Sequence, residues 1–216
     1  MNLEQKEKTV CNHHSTRNPR LQAPLLGSSL VAIAALGLMA QASLAGLPPE
    51  PIITVQPWDD LNGLFIAPAS PAPVSGTTGH IVVHDPADQP IANAIVSVEL
   101  GASNPLCPGA VVTGVTDANG EVDITVSGGG CAHNQPVSGL IRVNGVTVRA
   151  YSNVKSPDFD GSKSNGTVGL ADLIAFSAEF LQHSPPECHD YDNNAATDLA
   201  DVILFAPAFV GSSHCN

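Results

Sequence analysis

Between residues 76 and 155 short apolar runs alternate with polar positions and are separated by turn residues, whereas from Ser156 to Asn216 the apolar spacing becomes that of helices. "HIVVH" leads into the turn "DPADQP"; then come "IANAIVSVEL", "VVTGVTD", the turn "DANG" and "EVDITVS". In "LIRVNGVTVRAY" the pair Asn144-Gly145 supplies the positive φ angles of a two-residue turn, so the flanking runs form a hairpin. Such alternation buries one side of each strand, and two short sheets packed face to face satisfy it. The pattern predicts a mainly β protein: a small β-sandwich over residues 76–155, followed by a two-helix segment over 156–216. Residues 46–75 are rich in proline, carry no sustained period and read as an N-terminal arm. Its apolar segments "PIITVQPW" and "LNGLFIA" either fold onto their own domain or pair with a sheet edge of a neighbouring molecule.

The helical segment contains a repeat. "LADLIAFSAEFL" (170–181) and "LADVILFAPAFV" (199–210) share six of twelve positions at a spacing of 29 residues, and an acidic, Asn- and Ser-rich loop precedes each. With Asp190 as position 1 of the second loop, Asp192 falls at 3, Asn194 at 5, Ala196 at 7 and Asp201 at 12. These are the side-chain and backbone-carbonyl positions of an EF-hand calcium loop, in which hard oxygen ligands wrap one large cation. In the first loop Asp158 and Asp160 stand at positions 1 and 3, Thr167 at 7 and Asp172 at 12, but "SKS" makes the loop three residues longer. Position 5 is there either Ser162 or Asn165. Any single Asp-x-Asp is equally well an Asx turn that caps a helix; it is the duplication with position 12 matched both times that points to two calcium ions.

Charge strengthens this reading. After Ala42 the chain has four basic residues against eighteen acidic ones, a formal charge of −14, and nine of the acids lie between Asp158 and Asp201. Nucleic-acid binding has no electrostatic footprint here, and divalent cations are the natural counter-charge. At the other end Lys6, Lys8, Arg17 and Arg20 precede the apolar run "LVAIAALGLMA" and the small-residue sites ending at Ala42 and Ala45. Residues 1–45 therefore read as a secretory signal peptide cleaved at one of those alanines; the run is shorter than the roughly 20 residues a transmembrane anchor needs. Export favours disulfides for the four remaining cysteines, expected as the local pairs Cys107 with Cys131 and Cys188 with Cys215. A zinc site from Cys188, His189, His214 and Cys215 is the rival, but adjacent Cys-His dipeptides lack the usual ligand spacing.

Tandem acidic loops, each followed by one helix and ending in Asp rather than Glu, resemble the type I dockerin repeat of secreted bacterial proteins. The resemblance covers about 60 residues. It implies two calcium ions, two antiparallel helices and docking to a cohesin module. The chain departs from the pattern at Leu170-Ala171 and Leu199-Ala200, where hydroxyl-bearing residues are common, at Ala195 in place of the position-6 glycine, and at Pro207, which is expected to interrupt the second helix. The middle segment resembles the Ig-like and prealbumin-like β-sandwich modules of bacterial surface proteins, which implies a spacer, adhesion or assembly role.

Catalytic motifs are missing: there is no G-x-S-x-G elbow, phosphate loop or H-E-x-x-H. His80 and His84 lie on one face of a strand about 13 Å apart, at about 3.3 Å per residue, too far to share a metal. Trp58 reads as a packed residue of the arm. The sequence thus predicts a secreted, non-enzymatic, calcium-binding structural or adhesion protein that assembles with itself, or else a docking adaptor for a cohesin-like partner.

Overall fold

Ten strands and then two helices follow one another along residues 50–216, the part of the chain that the computed structural model describes. The expected leader and its expected cleavage sites lie outside these residues. Strands β1 (Ile52–Gln56), β3 (Thr78–His84) and β6 (Glu121–Thr125) form an antiparallel sheet in the order β1-β3-β6. Strands β4 (Ile95–Leu100), β5 (Thr113–Val115), β8 (Gly139–Val143) and β9 (Val146–Tyr151) form a second in the order β5-β4-β8-β9. Inward-facing residues of both sheets, among them Val55, Ile81, Val83, Ile124, Val96, Val98, Ile141 and Val143, make one apolar core. Asn144 and Gly145 take φ angles of 50° and 82° between β8 and β9, as the hairpin requires. His80 and His84 stay at the surface, where they meet Asp123 at 2.8 Å and Asp88 at 3.2 Å.

The proline-rich arm is part of this fold. β1 pairs with β3 of its own chain from Ile52 opposite His84 to Gln56 opposite His80. Trp58 is buried, donates its indole N–H to the Gly76 carbonyl at 3.0 Å, and lies so close to Gly79 that a Cβ there would come within 2.4 Å of the ring. Asp59 fixes the turn: it accepts from Val55 N–H at 3.0 Å, from Arg149 at 3.0 Å and from the Tyr151 hydroxyl at 2.7 Å. Burial and the adjacent Asp59 carboxylate push the Tyr151 hydroxyl up, so it stays a donor.

A third sheet of short strands, β2 (Leu64–Phe65), β10 (Val154–Lys155) and β7 (Cys131–Ala132), runs in the order β2-β10-β7 and joins the β region to the helices. Side chains alternate across a strand. Leu64 and Ile66 enter the first core, whereas Phe65 and Ala67 enter a second core with Val168, Phe176, Tyr191, Phe205 and Ala208. The run "LFIA" shows no alternation because it is buried on both faces. Val154 and Lys155 are split in the same way, Val154 into the first core and Lys155 toward the acidic loops.

Helices α1 (Leu170–Phe180) and α2 (Leu199–Val210) stack Phe176 on Phe205 with ring centroids 4.7 Å apart. Contrary to expectation, Pro207 does not interrupt α2. Proline fits helical φ and forfeits one hydrogen bond, to the carbonyl of Ile203, and Ile203 lies on the exposed side of the helix.

The disulfides also differ from the expected local pairs. Cys107 is bonded to Cys215 and Cys131 to Cys188, so both bonds cross from the β region to the helical region. Residues on either side of position 155 accordingly fall in one compact unit. The third sheet brings β7 beside β10 and so Cys131 next to the second loop, a proximity that sequence separation does not reveal. Among the described residues no helix is long and apolar enough to cross a membrane.

Candidate metal centre in the two acidic loops

Each acidic loop wraps backbone N–H groups around its first aspartate. Asp190 accepts from Asn194 N–H at 3.0 Å and Ala195 N–H at 3.1 Å; Asp158 accepts from Asn165 N–H at 3.0 Å and Gly166 N–H at 2.9 Å. The next link repeats as well: Ala196 N–H donates to Asn194 Oδ1 at 2.8 Å and Thr167 N–H to Asn165 Oδ1 at 3.0 Å. This pattern aligns Asn165, rather than Ser162, with Asn194. Ser162 instead hydrogen-bonds to Asp160 within the inserted turn, at 2.7 Å through its hydroxyl.

Position 6 is left-handed in both loops, with φ of 81° at Gly166 and 71° at Ala195. Alanine in that region costs about 1 kcal/mol that glycine avoids. The side chain at position 12 is set by the helix that follows. Asp172 accepts from Gly169 N–H at 2.8 Å and Asp201 from Asp198 N–H at 2.8 Å, each from the third residue of its helix back to the cap.

In the second loop these constraints bring Asp190, Asp192 and Asp201 together, with one carboxylate oxygen of each within 4.8 Å of the others. Oxygens about 2.4 Å from a central calcium ion can span such distances. Asp190 and Asp201 are buried, and Asp201 also accepts from Tyr191 N–H at 2.5 Å. Burial first, then the charges of Asp192 and Asp190, push Asp201 up to about 6 against the pull of the Asp198 and Tyr191 amides. Asp190 is likewise raised by burial, and Lys155 opposes that shift. A cation that binds here takes the ionised carboxylates, displaces their protons into solvent and relieves the repulsion among them.

The first loop is looser. Asp158, Asp160 and Asp172 do not meet the same spacing, and Asp160 is turned onto the N–H groups of Ser162 and Lys163, both at 2.9 Å. Asp172 nevertheless keeps one buried carboxylate oxygen, Oδ1, without a hydrogen-bond partner. Burial and the nearby charges of Asp158 and Asp160 push its pKa up. An orphaned acceptor among like charges fits a cation, and the donor set of Asp158, Asp160, Asn165, Thr167 and Asp172 is of the hard oxygen kind calcium takes.

Two features of the site escaped the sequence reading. Glu179 on α1 gathers the second loop's entry: it accepts from the N–H groups of Glu187 at 2.9 Å and His189 at 3.1 Å, from His189 Nδ1 at 2.7 Å and from Thr197 Oγ1 at 3.2 Å. Burial alone would raise this carboxyl, but those donors and the His189 charge hold it at about 2. The other ring nitrogen of His189 faces the Phe159 carbonyl at 3.2 Å. With Cys188 and Cys215 in separate disulfides, the four residues of the rival zinc site do not assemble.

The second feature is Lys155, whose ammonium is buried in the loop. It donates to the Asp190 backbone carbonyl and lies 3.9 Å from Asp190 Oδ2. Burial holds its pKa below the usual lysine value, and the charges of Asp190, Glu179, Asp201 and Asp192 oppose that shift without cancelling it. Neither residue type in isolation signals a partner, because both depend on long-range packing.

Outside the loops the helices present a duplicated apolar stripe. Leu170, Ile174 and Leu181 correspond at 29-residue spacing to Leu199, Ile203 and Val210, and all six are 59% to 81% exposed. Comparison with protein-family models and with curated proteins finds no match for the chain.

Proposed function

We propose that this is a secreted bacterial protein of the extracellular space or cell surface, non-enzymatic, in which a small Ig-like or prealbumin-like β-sandwich and a dockerin-like helical module are held together by two calcium ions as a structural or adhesion unit. The observation that carries the reading is the convergence of the Asp190, Asp192 and Asp201 carboxylates at positions 1, 3 and 12 of the second loop. Support for the first site comes from the matching hydrogen bonds around Asp158 and the orphaned oxygen of Asp172. Two disulfides between the β region and the helical region suit an oxidising compartment. The test is a calcium titration of the disulfide-bonded protein that follows binding and melting temperature together. Two ions per chain and a rising melting temperature support the reading; a protein indifferent to millimolar calcium refutes it.

A second reading, the adaptor that binds a cohesin-like partner, draws on the duplicated stripe of Leu170, Ile174, Leu199 and Ile203. Monomeric proteins seldom leave so regular an apolar surface uncovered. The stripe also gives self-assembly a surface, which matters because the arm is engaged with its own chain. Sedimentation in calcium distinguishes the two: concentration-dependent oligomers abolished by serine at these four positions favour the structural subunit, and a strict monomer favours the adaptor.

A further inference from the structure

We infer that Lys155 is a positioning residue of the second loop, a built-in cation that holds the loop closed without calcium and weakens its affinity for the ion. The inference rests on the calcium reading above. Of the four basic residues in the described part of the chain, Lys155 alone is buried, and it sits on β10 with its side chain on the opposite side from the first core. A buried ammonium is tolerated only where acceptors and counter-charges meet it. Here its acceptor is the Asp190 main-chain carbonyl, and its counter-charge is Asp190 Oδ2 at 3.9 Å. In a twelve-residue calcium loop the main-chain carbonyl at position 1 is not a ligand, so Lys155 keeps this hydrogen bond while the Asp190 carboxylate turns to the ion.

The first loop lacks this device. The corresponding oxygen, Asp158 Oδ2, accepts from the neutral Ser164 hydroxyl at 2.7 Å, and the loop's own Lys163 is exposed. Three carboxylates close to a buried ammonium attract a divalent ion less than three without one. The two loops are thus inequivalent by construction. The second has converged carboxylates but carries its own cation and binds weakly; the first has no such cation, keeps Asp172 Oδ1 unpartnered, and fills first.

The test is calorimetric titration of the full, disulfide-bonded chain with calcium, as wild type, Lys155→Met and Lys155→Arg. Wild type is expected to bind two ions with affinities at least tenfold apart. Lys155→Met should tighten the weaker site about tenfold while lowering the calcium-free melting temperature, and Lys155→Arg should stay within about threefold of wild type. A merely structural lysine would lower both affinity and stability, so unchanged or weaker binding by Lys155→Met overturns the inference and leaves the calcium reading standing. Wild type binding no calcium overturns both. Should Lys155→Met fail to fold, wild-type NMR decides: the Lys155 side-chain resonances are expected to shift with the second equivalent of calcium, and their insensitivity overturns the inference.

Discussion

Cys188, two residues before Asp190, is bonded to Cys131 of β7, so the second acidic loop is covalently anchored to the β region at its entry. A bond spanning 57 residues restricts the unfolded chain enough to contribute about 4 kcal/mol. Replacing both cysteines with serine should lower stability by about that amount and weaken calcium binding at the second loop. Peptide mapping under non-reducing conditions should recover Cys131 with Cys188 and Cys107 with Cys215.

The two ends of the same loop make stability pH-dependent in opposite senses. Glu179 is held at about 2 in the fold against an ordinary value of 4.5, so its contribution is present above about 4.5 and is lost as pH falls through about 2. A shift of that size corresponds to about 3 kcal/mol. Glu179→Gln should remove it and flatten the acid limb of a melting-temperature profile. Asp201, raised to about 6, acts the other way: without calcium, its contribution is greatest below its ordinary 3.8 and fades as pH rises through about 6. Calcium takes the ionised form, so calcium affinity should weaken as pH drops through about 6.

Within the second loop the aspartates have separable jobs. Asp190 belongs to the converging carboxylates, whereas Asp198 is the helix cap and accepts from Ala200 N–H at 2.8 Å. Asp190→Ala should therefore abolish binding at one site. Asp198→Ala should cost about 1 kcal/mol of stability as a lost cap and leave two ions bound. Calorimetry with and without calcium separates the two effects.

The arm can be tested through Trp58, the protein's single tryptophan. Gly79→Ala places a Cβ against the indole ring, which must leave its buried site. The emission maximum should move to longer wavelength, and stability should fall by about 3 kcal/mol or more, as for loss of a large buried side chain.

Local chemistry was legible in the sequence where local rules decide it. Asn144-Gly145 announced its hairpin, and the repeat of an acidic loop and an apolar helix, with Asp172 and Asp201 29 residues apart, announced two related loops. Four cysteines allow three connectivities, and choosing among them needs the third sheet, which packs β7 beside β10. "LFIA" lost its period because its two faces serve two cores. Lys155 and Glu179 were invisible as site residues for the same reason: their partners are 35 and 10 residues away and meet them only in the folded chain.

The most direct measurement is the number of calcium ions bound by the wild-type, disulfide-bonded protein, set against that of Asp190→Ala. The geometry predicts two ions for wild type, a higher melting temperature in their presence, and one ion for the variant, since Asp158 and Asp190 head separate loops. No binding at millimolar calcium, or binding that Asp190→Ala leaves unchanged, would contradict the account.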